Sequence, residues 1–265
     1  MFREIKKRLL TIYDESEAHS LALVVMEEIG GVRMTQDLME DCPFTDAVTE
    51  AVDRLLNHEP LQYVIGWCDF CGIRIKCDSR ALIPRPETEW MVQRLISEDY
   101  SNVKRILDLG TGTGCIAIAL ASAFPSAHVT GVDISEQALA LARENVSLCG
   151  LCNIDFVLGD ITSLNIGGMF DMIVSNPPYI TLSEKNEMRN NVLDWEPHNA
   201  LFVPDGDELL FHRSIVRYSK NHLSAGGVLV MEINEHLAET TKSLLENGSI
   251  IYDQFDKPRF VMQYG

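Results

Sequence analysis

The four residues Asn176-Pro177-Pro178-Tyr179 bring together a side-chain amide, a stiffened backbone and an aromatic ring. They suit one kind of chemistry: alignment of a planar nitrogen for attack on an electrophilic methyl group. An amide or exocyclic amino nitrogen has a delocalised lone pair and attacks only if that pair points at the methyl carbon. Two acceptors, one for each N–H, fix this direction. The Asn176 side-chain oxygen is one candidate and the Pro177 carbonyl is the other, carried on a chain that two prolines hold stiff. Tyr179 offers a flat face to a flat group. Asn176, Pro177 and Tyr179 are therefore the candidate catalytic residues, and Asn176, Pro177, Pro178 and Tyr179 together the candidate substrate site. Taken alone, the same four residues also describe a Pro-Pro turn after a strand, with Asn starting the turn and Tyr in the core.

A second constellation lies upstream. Ile106-Leu107-Asp108-Leu109 runs into Gly110-Thr111-Gly112-Thr113-Gly114 and then an apolar helix-like segment. Strand, glycine turn and helix form a ligand-binding edge: glycines permit positive φ and close backbone approach, and the helix N-terminus presents N–H groups. The spacing is tighter than the dinucleotide pattern, in which two residues precede the third glycine. The next strand ends Thr130-Gly131-Val132-Asp133, where a carboxylate can accept from both ribose hydroxyls of either NAD or S-adenosylmethionine. The third ends Leu158-Gly159-Asp160, where a carboxylate can meet an adenine amino group and Ile161 can cover the ring. Asp160 also fits a simple N-cap. Gly110, Thr111, Gly112, Thr113, Gly114, Asp133 and Asp160 are the candidate cofactor residues.

The elements that must position these groups follow from periodicity. Strand-like runs are 105–109, 128–132, 154–158, 172–175, 228–233 and 250–255; helical runs at 115–123, 136–148, 208–222 and 235–246 separate most of them. That alternation predicts an α/β fold, a doubly wound, mostly parallel sheet covered by helices. Residues 1–58 predict a small helical domain: Leu9, Ile12, Tyr13, Leu21, Val24, Val25 and Ile29 recur at helical spacing, Gly30-Gly31 is a stop, a short helix starts at Thr35 and a longer one spans 45–56. Residues 59–83 predict a β-hairpin linker, with Leu61–Ile65 and Ile73–Ile75 as β-prone runs. Residues 84–265 make the catalytic domain, opened by a helix starting near Pro86.

The bulk composition narrows the partners. The chain has 265 residues, 39 acids and 22 bases, for a formal charge of −17. So negative a chain repels phosphate backbones, which disfavours nucleic acid as a partner. The basic cluster Arg3, Lys6, Lys7 and Arg8 opens the chain, and Asp14 and Glu15 interrupt its apolar run too early for a signal peptide. We read an amphipathic helix of a cytoplasmic protein, with no membrane partner. The seven cysteines suit a reducing compartment. Two CxxC pairs, Cys68/Cys71 and Cys149/Cys152, have local explanations as a hairpin and a helix end, so no metal is expected.

Ile83-Pro84-Arg85-Pro86-Glu87-Thr88-Glu89, the Gly110–Gly114 turn, Asp133 and Asn176-Pro177-Pro178-Tyr179 occur in that order. The combination resembles the release-factor glutamine N5-methyltransferases, the HemK/PrmC family, over nearly the whole chain. Trp195-Glu196-Pro197 followed by Ala200-Leu201 is similar to a further stretch of that family, whereas Val203 to Leu209 and Asp253 to Arg259 depart from it. The resemblance implies a seven-stranded Rossmann-like methyltransferase sheet behind an N-terminal helical substrate-recognition domain. It implies transfer of a methyl group from S-adenosylmethionine, leaving S-adenosylhomocysteine, to the glutamine side chain of the Gly-Gly-Gln motif in class I peptide-chain release factors. It also implies that Asn176 contacts the cofactor. DNA or RNA adenine N6-methylation would explain Asn176 to Tyr179 equally well.

Overall fold

The central apolar runs become parallel strands here because both of their faces are covered. The computed structural model, which describes residues 1–32, 44–100, 102–188 and 190–265, contains β3 (Arg105–Leu109), β4 (His128–Asp133), β5 (Ile154–Leu158), β6 (Phe170–Ser175) and β9 (Leu223–Glu232) side by side in parallel. Ile106, Leu107 and Leu109 of β3 are all fully buried, the pattern of a strand sandwiched between helices. β11 (Pro258–Tyr264) pairs antiparallel with β9 and with β10 (Ser249–Tyr252). The sheet order is β10-β11-β9-β6-β3-β4-β5.

Successive residues of each strand feed opposite layers. On one face Ile106, Val129, Met172, Val174, Val230 and Phe260 pack with α5 (Pro86–Ser97) and α6 (Cys115–Ala123) through Met91, Leu95, Ile116 and Leu120. On the other, Leu107, Leu109, Ile173, Leu229, Met231 and Val261 pack with Ile215, Val216 and Tyr218 of α9 (Leu210–His222). α7 (Glu136–Cys149) is capped by Ser135, whose side chain accepts from the Ala138 N–H, and ends at Gly150 with positive φ. A two-residue pair, β7 (Ile180–Thr181) with β8 (Phe202–Val203), lies outside the main sheet. The mostly parallel α/β sheet expected from the alternation, and the seven strands that the family resemblance implies, are what the chain forms.

The chain divides into two compact units: Met1–Trp67 with Arg189–Trp195, and Cys68–Met188 with Glu196–Gly265. The first is helical: α1 (Phe2–Leu9), α2 (Glu15–Val24) continuing into a π-turn over Val25–Ile29, α3 (Asp46–Leu56), α4 (Leu61–Ile65) and α8 (Asn190–Leu193). Asp14 and Thr45 cap α2 and α3. Ile5, Leu9, Val25, Val48 and Leu55 form its core. The short helix expected at Thr35 lies outside the described residues.

Several elements differ from the sequence reading. Leu61–Ile65 is helix, not strand. Pro60 starts it, Gly66 at φ 85° ends it, and Arg54 donates to the carbonyls of Tyr63 and Val64 at 2.9 and 3.3 Å. A cation on the last carbonyls overrides the β-propensity of Tyr, Val and Ile. The hairpin is β1 (Trp67–Phe70) with β2 (Ile73–Lys76), turned by Cys71 and Gly72 at φ 52° and 73°. The helix expected over 235–246 is a 3₁₀ turn, Glu235–Leu237, and a short α10 (Ala238–Lys242). β11 carries no strand in the sequence reading. Its leading proline and arginine, and the glutamine that follows, mask the core trio Phe260, Val261 and Met262.

Candidate active site

The carboxyl ends of β3, β4, β5 and β6 meet around a cavity of about 320 Å³, whose wall includes Gly110, Asp133, Ile134, Asp160, Ile161, Asn176 and Pro178. This is the edge at which open α/β sheets bind ligands, and the volume falls in the range of small-molecule sites. The structure therefore brings together the ends of both sequence constellations.

The glycine turn is held to the neighbouring strand by its own backbone. The N–H groups of Gly110 and Thr111 both donate to the Val132 carbonyl, at 2.8 and 2.9 Å. Gly110 adopts φ 75°, which lets the chain reverse directly after β3. Asp133 accepts from the Gly112 N–H at 2.9 Å through one oxygen and from the Ser135 N–H at 2.9 Å through the other. Burial pushes its carboxyl above the usual range, and these backbone N–H bonds oppose that. Thr111 and Thr113 are buried and absent from the cavity wall; the Thr111 hydroxyl donates to Asp108 at 2.6 Å. Asp160 caps the 3₁₀ turn Ile161–Ser163, accepting from the Thr162 N–H at 2.7 Å and its hydroxyl at 2.8 Å, all through one oxygen. Its turn role and its place on the cavity wall coexist. Ile134, 60% exposed beside Asp133, is an apolar wall residue that the sequence reading passed over.

β6 delivers Asn176 to the same edge, and the Ser175 hydroxyl ties β6 to the Leu109 carbonyl at 2.6 Å. The Asn176 amide nitrogen donates to Thr88 Oγ1 at 2.9 Å. Thr88 in turn donates to Glu232 Oε2 at 2.6 Å, and the Tyr179 hydroxyl donates to Glu232 Oε1 at 2.8 Å. Glu232 is 2% exposed. Burial raises its carboxyl above the ordinary value, against which the two hydroxyls and Arg259 act. Burial, and then the charge of Glu232, push the Tyr179 phenol well above its usual value, so Tyr179 stays protonated. His212 Nε2 bonds the Glu232 carbonyl oxygen at 2.9 Å, and burial lowers its pKa, which keeps the imidazole neutral. Pro177 is buried, whereas Pro178 lies on the cavity wall.

Thr88, Glu232 and Glu196 gained no role from sequence. Glu196 is buried, accepts from the Ile83 N–H at 3.1 Å and pairs with Arg85 at 2.6 Å. It fixes the Pro84-Arg85-Pro86 stretch that launches α5, and thereby Thr88. One signal was present: an acid inside the apolar run Val228-Leu229-Val230-Met231-Glu232-Ile233 is costly unless used. The two CxxC pairs lie elsewhere. Cys68 and Cys77 approach to 3.4 Å beside the hairpin, Cys149 ends α7, and Cys152 is exposed.

A mostly parallel sheet with a glycine turn, an acidic end to the next strand and Asn-Pro-Pro-Tyr after the fourth defines an S-adenosylmethionine-dependent methyltransferase. A methyltransferase small domain model matches residues 86–194. The fold is shared with a ribosomal-protein methylase from Lactobacillus delbrueckii subsp. bulgaricus (TM-score 0.53, 18% identity, 73% of this chain and 84% of that one). It is shared also with a methyltransferase from Pyrococcus furiosus (TM-score 0.53, 17% identity, 73% and 89%). Relatives named release factor glutamine methyltransferase match along the whole length. The one from Bacteroides thetaiotaomicron is 38% identical over 97% of this chain and 96% of its own. That from Streptococcus pneumoniae is 34% identical over 99% and 96%. The chain belongs to the release factor glutamine methyltransferase family.

Proposed function

We propose that this enzyme transfers a methyl group to the side-chain amide nitrogen, N5, of the glutamine in the Gly-Gly-Gln motif of class I peptide-chain release factors. The observation that carries the reading is the state of Asn176: its amide nitrogen is committed to Thr88, and it stands on the wall of the cofactor-sized cavity. Its carbonyl oxygen is then the acceptor for a substrate N–H.

S-adenosylmethionine, when bound, supplies a methyl group on a positively charged sulfonium. The cavity suits it: Asp133 would hold the ribose hydroxyls, Gly110, Thr111, Gly112, Thr113 and Gly114 would shape the turn beneath it, and Asp160 would meet the adenine amino group. Ile161 and Ile134 would cover the ring, and Asn176 would close the reactive end. Asn176 Oδ1 and the Pro177 carbonyl accept the two N–H bonds of the glutamine amide, turning its lone pair toward the methyl carbon. Tyr179, kept protonated, offers its ring rather than a base. No strong base is required, because an alkylated amide nitrogen is very acidic and releases its proton readily. Catalysis here is mainly alignment, so the residues that fix Asn176 matter as much as Asn176 itself.

The helical unit, residues 1–58 in the sequence reading, serves substrate recognition; 59–83 link it to the catalytic domain, 84–265. The enzyme acts in the cytoplasm, where release factors work, with no stable nucleic-acid or membrane partner. The test is mass spectrometry of a purified release factor after incubation with enzyme and labelled cofactor. One methyl group on the Gly-Gly-Gln glutamine is expected, and none when that glutamine is replaced; undiminished labelling of the replaced factor overturns the reading. Asn176→Ala should lower turnover by roughly 10²-fold or more while the fold persists, the scale of a lost positioning group.

A further inference from the structure

An asparagine amide is nearly symmetric in shape, and its two ends are opposite in function. If Asn176 presented its NH₂ group to the cavity, it would face the NH₂ of a glutamine amide donor to donor. Something must therefore choose the end.

The hydrogen-bond chain behind Asn176 makes that choice by proton arithmetic. In its ionised form the Glu232 carboxylate only accepts, and both hydroxyl bonds run toward it. Glu232 takes the hydroxyl proton of Thr88 at 2.6 Å and that of Tyr179 at 2.8 Å, one on each oxygen. Thr88 has one hydroxyl proton and has given it away, so toward Asn176 its oxygen can only accept. The bond at 2.9 Å must then come from one N–H of Asn176 Nδ2, which leaves Oδ1, the amide's only acceptor, unused by Thr88. Each partner comes from a different element: Asn176 and Tyr179 follow β6, Thr88 sits in the first turn of α5, and Glu232 ends β9. Glu232 and Thr88 are both 2% exposed, so water does not compete for these bonds.

We propose that Thr88 and Glu232 are positioning residues that set the polarity of the Asn176 amide, so that a carbonyl oxygen rather than an NH₂ group receives the substrate nitrogen. Glu232 anchors the direction of the chain, Thr88 transmits it, and the same carboxylate fixes Tyr179. The inference rests on the proposed role of Asn176 toward the glutamine amide.

Two near-isosteric changes and one conservative change test it. Thr88→Val removes the hydroxyl and keeps the shape. Glu232→Gln keeps the shape and adds a donor, which allows the whole chain to reverse. Thr88→Ser keeps the hydroxyl. Single-turnover methylation of a release factor should slow by roughly 10²-fold in Thr88→Val and by roughly 10-fold or more in Glu232→Gln, as for misaligned reactants. Thr88→Ser should stay within about threefold of the wild type, and cofactor Kd, measured by calorimetry, within about twofold in all three, because the defect lies in one amide's orientation. Wild-type turnover by Thr88→Val overturns the inference. So does a parallel loss of cofactor affinity and melting temperature that Thr88→Ser fails to rescue, since that marks a packing role. A wild-type enzyme that leaves the glutamine unmodified instead defeats the functional reading, so the two failures are distinguishable.

Discussion

Two carboxylates at the glycine turn behave differently because their environments do. Asp133 accepts two backbone N–H bonds at the cavity edge, whereas Asp108, within β3, is wholly buried and accepts the Thr111 hydroxyl. Its second oxygen has no partner. Burial pushes the Asp108 carboxyl up to about 7, with the Thr111 hydroxyl and the Ala117 backbone N–H opposing and the charge of Asp133 adding to the rise. In the unfolded chain an aspartate titrates near 4. Between these values the folded protein holds a proton that the unfolded chain has lost, so this group's contribution to stability is complete below about pH 4 and declines as pH rises to about 7. The loss is on the order of 4 kcal/mol, and stability is flat above it. Asp108→Asn should therefore be more stable than the wild type at pH 8, with the advantage shrinking toward pH 5; urea midpoints at the two values decide it, and an advantage independent of pH refutes the assignment. Asp133→Ala tests a different property of the same turn. It frees the Gly112 and Ser135 N–H groups and removes the proposed ribose acceptor, so cofactor Kd should rise by at least about tenfold, the worth of one charge-assisted bond. An unchanged Kd rejects the ribose role.

At the scale of elements, legibility tracked how local each signal was. The central strands and α6 were readable because their apolar runs are bounded by glycine or charge, and α6 runs Cys115–Ala123 as the spacing predicts. β11 was not readable, since only its place between β9 and β10 makes a strand of a segment beginning Pro258-Arg259. Leu61–Ile65 failed in the opposite sense: a β-prone string became helix because Arg54 reaches its last carbonyls. The same limit governs the site. Asn176 and Asp133 sit in local motifs, but Thr88 and Glu232 are 144 positions apart and meet only when α5 packs on the sheet. The glycine turn carries a testable element-scale constraint. Gly114 caps α6 at φ 83°, and a Cβ there would lie 3.1 Å from the Ala142 Cβ on α7. Gly114→Ala should lower stability by roughly 1–3 kcal/mol, combining left-handed strain with the close contact. A urea midpoint within error of the wild type shows that α6 and α7 can separate freely.

Across the whole molecule, charge favours one of the two owners of an Asn-Pro-Pro-Tyr motif. A methyltransferase acting on adenine must hold a polyanion, and this chain carries −17. Its most basic segment is partly neutralised by its own acids: Lys6 pairs with Glu15 at 2.5 Å and Arg8 pairs with Asp53. Elsewhere Arg80 is shared between Asp78 and Glu144, and Arg259 between Asp253 and Glu235. Cations spent on internal carboxylates release few counterions from a nucleic acid, and counterion release supplies most non-specific affinity. The purified enzyme should therefore show no retention of a 30-base-pair duplex at 0.15 M salt in a gel-shift assay, and no methyl transfer to adenine. Retention that falls steeply with salt, with a log–log slope near −0.9 for each phosphate contacted, would expose a basic surface that this charge pattern denies, and adenine would replace glutamine as the planar nitrogen under Asn176.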